Sequence, residues 1–358
     1  MITIVGAGPV GLVLACLLGK QGRAVTLYEK RVALPAASMA IGITPPSLDI
    51  LEKIDLKAEF LHRGLLIPRA QVFESGKPCG TVDFRDSENE ILSLPQFGTL
   101  KLLRQRLSKL KNVHLCEGVE MTPERLRTCK GWIIACDGAD SSLRRHCGIP
   151  MRRHEYGVSF VMADFEDKED LGDEARLYFS PRGAVESFPL PGGKRRWIVQ
   201  RTQNAPPTLE TLLQRVQAAA GFDLAGRAHG NLYPFTPQRT LAKSFFHQQI
   251  ILCGDAAHTM SPIGGQGMNT GFADAFLLSR ILPDPSPQAL QAYTRERQRA
   301  FRIAARRAAQ GMWLGTRTGI PASRTRALLL KTALHQPRVR ETLARTFAMR
   351  NLPQPRTP

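Results

Sequence analysis

The order of apolar and polar positions predicts alternating strands and helices in the first part of the chain. A short β-branched run at residues 2–5 is followed by a glycine-rich turn and a helical run that reaches about Lys20. Residues 24–30 predict the next strand, and residues 40–56 pass from a strand-like into a helical pattern. This order predicts an α/β chain that begins with a doubly wound sheet.

Further along, the pattern becomes that of a mixed β-sheet. Strand-like alternation between Pro/Gly turns fills two stretches, the second of which contains one helical run. The last part of the chain is mostly helical. We expect a discontinuous nucleotide-binding domain (1–70, 96–150 and 241–315), an inserted mixed β-sheet substrate domain (71–95 and 151–240) and a basic helical C-terminal segment (316–358).

The glycine-rich turn has the spacing of a dinucleotide-binding fingerprint. Gly6, Gly8 and Gly11 follow a strand and open a helix, and Glu29 stands eighteen residues later at a strand end. Gly6 permits the tight turn, Gly8 lets the backbone approach a pyrophosphate, and Gly11 lets helix and strand pack closely. The helix N-terminus favours phosphate, and Glu29 can accept ribose hydroxyls. The motif predicts a dinucleotide site without separating NAD from FAD.

Two later segments of the sequence favour FAD over NAD as the bound dinucleotide. Residues 136–149 contain Asp137-Gly138, and residues 253–278 contain Gly254-Asp255 followed by a glycine-rich loop. Together with the fingerprint, they resemble the class A FAD-dependent aromatic monooxygenases of the para-hydroxybenzoate hydroxylase type. Residues 40–56 resemble salicylate-hydroxylase-like members, and the Gly254-Asp255 segment resembles hydroxylases of quinone biosynthesis. The resemblance implies a Rossmann-type FAD-binding domain with an inserted substrate domain.

The resemblance also implies which residues bind FAD. It places Gly6, Gly8, Val10 and Gly11 at the pyrophosphate, Glu29 at the adenosine ribose, Val119 near the adenine, and Arg104 at the pyrophosphate or ribityl region. It places Asp255 at the ribityl chain, Asp137 in a supporting role, and Gly267, Met268 and Asn269 at the flavin edge. Lys30 and Gly264 are further cofactor-binding candidates.

The activity that the resemblance implies is hydroxylation or epoxidation of a small aromatic or electron-rich substrate. NAD(P)H and O2 are the co-substrates, and a flavin C4a-hydroperoxide transfers the oxygen. Pro262 can stiffen the glycine-rich loop beside the flavin. Substrate-pocket candidates are Arg201 for an anionic group, Tyr178, Tyr233 and Pro262, and no single base stands out.

Two other functions remain open at this point. A flavin-dependent reductase of the geranylgeranyl reductase kind would share the fold. A non-enzymatic basic adaptor for membrane or nucleic acid would use the C-terminal segment instead. Flavin absorbance of the purified chain distinguishes the adaptor from both enzymes.

Charge raises the question of a membrane partner. The 358 residues carry a net charge of +18, and from Arg295 onward fifteen Lys/Arg stand against two Glu. A basic surface favours anionic partners. We expect the leucines of residues 328–334 to pack on the FAD domain, with peripheral contact to an anionic membrane as the alternative. We do not expect nucleic acid, and the sequence indicates no obligate protein partner.

Cysteine usage indicates a reducing compartment. The seven cysteines are odd in number and form no C-x-x-C pair, so we expect reduced thiols, no disulfide framework and no metal site. No apolar run reaches the length of a membrane span. We therefore expect a cytoplasmic protein, with a peripheral position on the inner membrane face left open.

Overall fold

The structure is a computed structural model that describes residues 2–34, 40–85, 89–168, 171–202, 205–262 and 265–353. Within these ranges the strands are β1 Ile2–Val5, β2 Val25–Glu29, β3 Gly42–Ile43, β4 Leu65–Ile67, β5 Arg69–Glu74, β6 Lys77–Asp83, β7 Ile91–Ser93, β8 Val113–Glu117, β9 Trp132–Ala135, β10 Met151–Glu155, β11 Ser159–Glu166, β12 Ala175–Ser180, β13 Gly183–Leu190, β14 Lys194–Arg201, β15 Tyr233–Phe235, β16 Gln238–Ala242, β17 Phe246–His247, β18 Ile250–Leu252 and β19 His258–Thr259. The helices are α1 Pro9–Lys20, α2 Pro45–Glu52, α3 Lys57–Arg63, α4 Gln96–Leu107, α5 Pro123–Thr128, α6 Ser142–His146, α7 Leu209–Ala220, α8 Gln266–Ile281, α9 Pro287–Thr316, α10 Ile320–His335 and α11 Pro337–Phe347.

The first sheet has the doubly wound form that the sequence predicted. Its strand order is β17-β18-β9-β1-β2-β8, and all pairs are parallel except β17 with β18. The central strands and helices α1 and α8 share one apolar core. Because the chain leaves β1 toward β2 on one side and reaches β9 and β18 on the other, the carboxyl end of β1 is a topological switch point. Ligands of such sheets bind there.

The second sheet joins both strand-rich stretches of the sequence. Its order is β15-β11-β14-β13-β12-β5-β6. Most neighbours are antiparallel, but β5 joins β12 in parallel, so the sheet is mixed, as predicted. Helix α7 packs on one face through a core that includes Trp197 and Leu212. The opposite face is free of α7 and forms a wall of the site described below.

The C-terminal helices pack on this second sheet. Leu330 and Leu334 contact an apolar cluster that includes Val72 of β5 and Val82 of β6. The expectation that the leucines pack on the FAD domain is therefore wrong. The sequence pattern of α10 shows which of its positions are apolar, but it does not show which surface packs against them.

A buried ion pair strengthens this packing. The guanidinium of Arg326 on α10 donates to the carboxylate of Glu74 at the end of β5, and both side chains are almost fully buried. Ser323 donates to the same carboxylate at 2.5 Å. Removing one partner of a buried pair leaves an uncompensated charge, which costs about 3–5 kcal/mol. Over the described ranges, no helix is both long and apolar enough to cross a membrane.

Candidate active site

A cavity of about 1370 Å³ begins at the carboxyl ends of the parallel strands and continues beneath the seven-stranded sheet. Its lining includes the glycine-rich turn after β1 and the segments that follow β2, β9 and β18. Single-ligand pockets commonly measure about 300–1,000 Å³. The cavity can therefore hold a dinucleotide together with a second molecule.

The glycines after β1 form a cradle with one open side. A Cβ atom on Gly6, whose φ is +103°, would lie 2.3 Å from the carbonyl oxygen of Cys136, and one on Gly11 would lie 2.0 Å from that of Gly6. A Cβ atom on Gly8 would meet nothing within 4 Å. Gly6 and Gly11 are thus required by the packing of the turn, whereas Gly8 leaves space on the cavity side. Val10 also lines the cavity.

Glu29 lies at the end of β2, where a ribose would be expected. Its carboxylate accepts hydrogen bonds from the backbone N–H of Ala7 at 2.8 Å and from the side chain of Arg31 at 2.9 Å. Burial by itself would raise the pKa of Glu29, but the hydrogen bonds from Arg31 and Ala7 outweigh it and lower the pKa. Glu29 therefore stays ionised at the cavity wall. Val119 lies beside it, because its N–H donates to the Glu29 carbonyl at 3.0 Å.

Two aspartates face the cavity with unused acceptor capacity. Asp137 follows β9, and its Oδ2 accepts from the start of α6, whereas its Oδ1 is buried without a partner. Asp255 lies in a short 3₁₀ turn after β18 and is exposed to the cavity. No described residue donates a hydrogen bond to the Asp255 carboxylate, so it does not cap a helix. Surrounding protein on the other sides raises the pKa of Asp255.

The N-terminus of α8 points into the same space. Gly265, Gln266, Gly267 and Met268 line the cavity. The first N–H groups of a helix lack intrahelical partners and carry partial positive charge, which suits an electron-rich ring edge.

Asn269 has a different environment. Its side chain is buried, accepts from the N–H of Thr44, and donates to the carbonyls of Gly42 and Gly265. Asn269 therefore ties the β3 segment to the start of α8, and its side chain does not line the cavity.

A buried network that the sequence did not reveal holds the Gly254-Asp255 turn. Asp274 of α8 accepts from the N–H of Gly254 at 3.1 Å, from His258 at 2.6 Å and from Arg297 at 2.6 Å. These contacts lower the pKa of Asp274, although its burial alone would raise it. His258 is thus a structural residue, buried against Asp274. Asp274 lies in helix α8, twenty residues after Gly254, and no local sequence pattern indicates that the two residues pair.

Three other cofactor candidates have different placements. Lys30 lines the cavity beside Glu29. Arg104 does not, because its guanidinium pairs with Glu117 at 2.6 Å. Gly264 lies outside the described residues.

The predicted substrate residues are only partly at the cavity. Pro262 lines it. Tyr178 stacks between Phe73 and Trp197 in the core under α7, and Arg201 donates to the carbonyl of Ala205. Neither of these two lines the cavity, nor does Tyr233 on the edge strand β15. Side chains of a strand alternate between faces, so a choice by residue type alone can select the wrong face.

The wall of the sheet that does face the cavity is aromatic and aliphatic. The described side chains that line it are Val72, Val82, Phe160, Met162, Leu177, Phe179, Phe188, Ile198 and Phe235, with smaller alanines between them. Two charged residues interrupt this wall, Glu186 on β13 and Arg196 on β14. The alternation of Ala184, Glu186 and Phe188 is the signal that could have placed Glu186 on this face.

The C-terminal helices close the cavity from the opposite side. Arg307, Gly311 and Leu314 of α9, Leu330 and Leu334 of α10, and Leu343 and Phe347 of α11 all line it. We call the space between the apolar wall and helices α9–α11 the aromatic chamber. The seven-stranded sheet shields it on one side and the C-terminal helices shield it on the other.

The residues present fit FAD. The open side at Gly8, the orphaned Oδ1 of Asp137, the unpartnered carboxylate of Asp255 and the N-terminus of α8 all border one cavity. Fold and site together define a dinucleotide-binding flavoprotein. A family model described as the FAD binding domain matches residues 1–125 and 122–308, and the chain belongs to this family. FAD is its cofactor, and the resemblance seen in the sequence is confirmed.

Relatives with named activities share part of the chain. Rifampicin monooxygenase of Streptomyces venezuelae is 26% identical over 304 residues, covering 77% of this chain and 62% of that protein. The 3-(3-hydroxy-phenyl)propionate/3-hydroxycinnamic acid hydroxylase of Klebsiella pneumoniae is 28% identical over 307 residues, covering 78% and 54%. The chain thus spans about half to two thirds of the length of these relatives.

A solved structure matches over nearly its whole length. The p-nitrophenol 4-monooxygenase of Pseudomonas putida superposes with a TM-score of 0.86 at 21% identity, covering 99% of this chain and 98% of that one. This likeness confirms the predicted fold class: a Rossmann-type domain, a mixed sheet and a helical C-terminus.

Proposed function

We propose that the protein is an FAD-dependent monooxygenase that uses NAD(P)H and O2 to hydroxylate or epoxidise a small aromatic or electron-rich substrate. The observation that carries the proposal is the continuity of one cavity from the Gly8 cradle into the aromatic chamber. A substrate in that chamber would lie next to a cofactor held at the strand ends. The names of the relatives support the same activity.

The chain's own residues would divide the binding of FAD among them. The open side at Gly8 and the N–H groups of α1 would receive the pyrophosphate. Glu29 would accept the ribose hydroxyls, and Asp255 would accept from the ribityl chain. The N-terminus of α8 would stabilise negative charge on the flavin edge. Asp274 would act as a positioning residue, since it fixes the N–H of Gly254 beside Asp255.

The aromatic chamber would orient the substrate and exclude water. Bound FAD supplies the redox chemistry with O2, and the protein determines what reaches it. Phe160, Phe188 and Phe235 offer ring faces and edges, while Leu314 of α9 closes the other side. Exclusion of water protects a reactive oxygen donor from unproductive decay. The relatives are named for two different kinds of substrate, rifampicin and hydroxyphenylpropionate. Their names therefore do not define the size of the aromatic substrate of this protein.

The test combines spectroscopy with product analysis. The purified chain should show a flavin spectrum, and its NAD(P)H oxidation should rise with a hydroxylatable aromatic compound from a panel of phenols. Under isotopically labelled O2, one labelled atom should enter the product. A flavin-dependent reductase would reduce an alkene without consuming O2, and a non-enzymatic adaptor would be colourless. Either result would reject the proposal.

We also propose peripheral contact with an anionic membrane through the outer surface of α9 and α10. Trp313, Ile320, Leu328 and Leu329 are exposed there, at 49–69% of their full accessible surface, and Arg317 stacks on Trp313 at 4.4 Å. Exposed apolar side chains in a basic surface suit an anionic bilayer.

The membrane test is sedimentation with anionic liposomes at low and high salt. The variant Leu328→Ser should lose binding, whereas Leu61→Ser, which removes an exposed leucine of α3, should not. Equal binding of both variants would reject the membrane proposal while leaving the enzymatic one intact.

A further inference from the structure

Glu186 is a carboxyl group in an apolar wall. It lies in the middle of β13, pairs across the sheet with Leu177 and Ile198, and is 8% exposed. Its side chain faces the cavity rather than the core under α7. No described residue donates a hydrogen bond to it or forms an ion pair with it. A buried carboxylate without a partner is costly, so proteins rarely retain one without a reason.

The other charged groups of the chamber do not supply the missing partner. Arg196 is engaged through two nitrogens by Asp164, at 2.6 and 2.9 Å. Arg307 of α9 donates to the side chain of Asn351 at 2.6 Å. Burial raises the pKa of Glu186 to about 7, and no neighbouring charge contributes to that shift. Both arginines therefore have acceptors other than the Glu186 carboxyl.

The surroundings of Glu186 also define what can approach it. The side chains beside it on its own face of β13 are Ala184 and Phe188, and across the sheet it meets Leu177 and Ile198. An aromatic ring can pack against these side chains and bring a polar substituent to the carboxyl. A group that donates a hydrogen bond satisfies the carboxylate, whereas a second carboxylate would repel it.

We propose that Glu186 is the specificity-determining residue of the aromatic chamber and binds a hydrogen-bond-donating substituent, a ring hydroxyl or amine, on the substrate. The inference rests on the proposed function, because it places the substrate in the chamber. It replaces Arg201 as the polar anchor, since Arg201 does not line the cavity. It also narrows the expected small aromatic or electron-rich substrate to a neutral or cationic aromatic with a donor group, in place of the anionic group for which Arg201 was the candidate.

The test measures binding to the oxidised, FAD-loaded protein without NAD(P)H, by equilibrium dialysis at pH 8, where the Glu186 carboxyl is ionised. The probes are naphthol, methoxynaphthalene and naphthoate, each substituted at the same ring position. Wild type should bind naphthol roughly tenfold or more tightly than the ether, the factor that a hydrogen bond to a charged group provides. Naphthoate should bind more weakly than both. Glu186→Leu should bind naphthol and the ether equally, and Glu186→Gln should retain part of the preference.

Controls separate this role from a general effect on folding. Glu166→Gln makes the same change at the exposed end of β11, which β14 separates from β13 in the sheet, and should keep the wild-type preference. FAD content, read from absorbance, checks that each variant folds. An unchanged preference in Glu186→Leu, or a wild type that binds all three probes alike, overturns the inference. Selective binding without any oxygenated product would instead reject the proposed monooxygenase activity.

Discussion

The substitution Glu186→Gln should stabilise the protein, by an amount that grows as the pH rises from about 4.5 to 7 and then levels off. Burial raises the pKa of Glu186 from 4.5 to about 7. Each pKa unit corresponds to about 1.36 kcal/mol. Ionisation of the Glu186 side chain therefore lowers the free energy of unfolding by up to about 3 kcal/mol. Water in the cavity that solvates the carboxylate reduces this cost. Glutamine has nearly the same shape and does not ionise.

The sign of the pH dependence follows from proton linkage. The pKa of Glu186 is higher in the folded than in the unfolded chain, so its favourable contribution is fully present below about pH 4.5. That contribution is lost as the pH rises toward 7, because the unfolded chain ionises more easily. The free energy of unfolding of the variant minus that of wild type should be near zero at pH 4.5 and reach about 1–3 kcal/mol at pH 8.

The assay is urea unfolding of the FAD-loaded wild type and variant at pH 5, 6, 7 and 8. Comparing the two proteins at each pH cancels the titration of all other groups. Glu166→Gln is the matched control, and its difference from wild type should be small at every pH. A difference for Glu186→Gln that stays flat from pH 5 to 8 would show that the carboxylate is solvated or paired, and would refute the reasoning.

Three further predictions address the FAD site and the C-terminal helices. Gly8→Val should give a folded, colourless protein, because its side chain occupies the open side of the cradle; a yellow variant would show that the phosphate loop is misassigned. Asp255→Ala should weaken FAD binding about tenfold or more in fluorescence titration, through loss of a charge-assisted hydrogen bond; unchanged affinity would leave Asp255 without a role in binding. Glu74→Ala should lower the free energy of unfolding by about 3–5 kcal/mol, since it leaves Arg326 buried and unpaired. The double change Glu74→Ala/Arg326→Leu should recover part of that loss in the same denaturation experiment, and no recovery would contradict a destabilising unpaired charge.

Local sequence determined the nucleotide-binding part of the protein. The Gly6–Gly11 spacing, the helix that follows it and Glu29 depend on interactions within some thirty residues, and the structure shows them in the predicted arrangement. The Asp137 and Asp255 segments were recognised from their resemblance to a known family, and in the structure each follows a strand of the same parallel sheet. Parallel strands bring their carboxyl ends to one edge, so local motifs far apart in sequence converge there.

Tertiary structure alone decided the substrate side of the cavity. The face of β12, β13 and β14 that borders the chamber is the face that α7 leaves uncovered. Glu186 lines the cavity from that face, whereas Tyr178 and Arg201 do not line it. A shift of one residue exchanges the faces of a strand, and residue type does not reveal which face is covered.

The role of the C-terminal helices was likewise decided by long-range contacts. The apolar positions of α10 are visible in the sequence, but the surface that covers Leu330 and Leu334 comes from β5 and β6, some 250 residues earlier. Arg326 is charged, yet its ion pair with Glu74 of β5 makes it part of the interior. The sequence by itself determined the cofactor cradle, because short-range backbone geometry specifies it. The packing of distant elements determined the shape and polarity of the chamber, because those properties exist only when the elements meet.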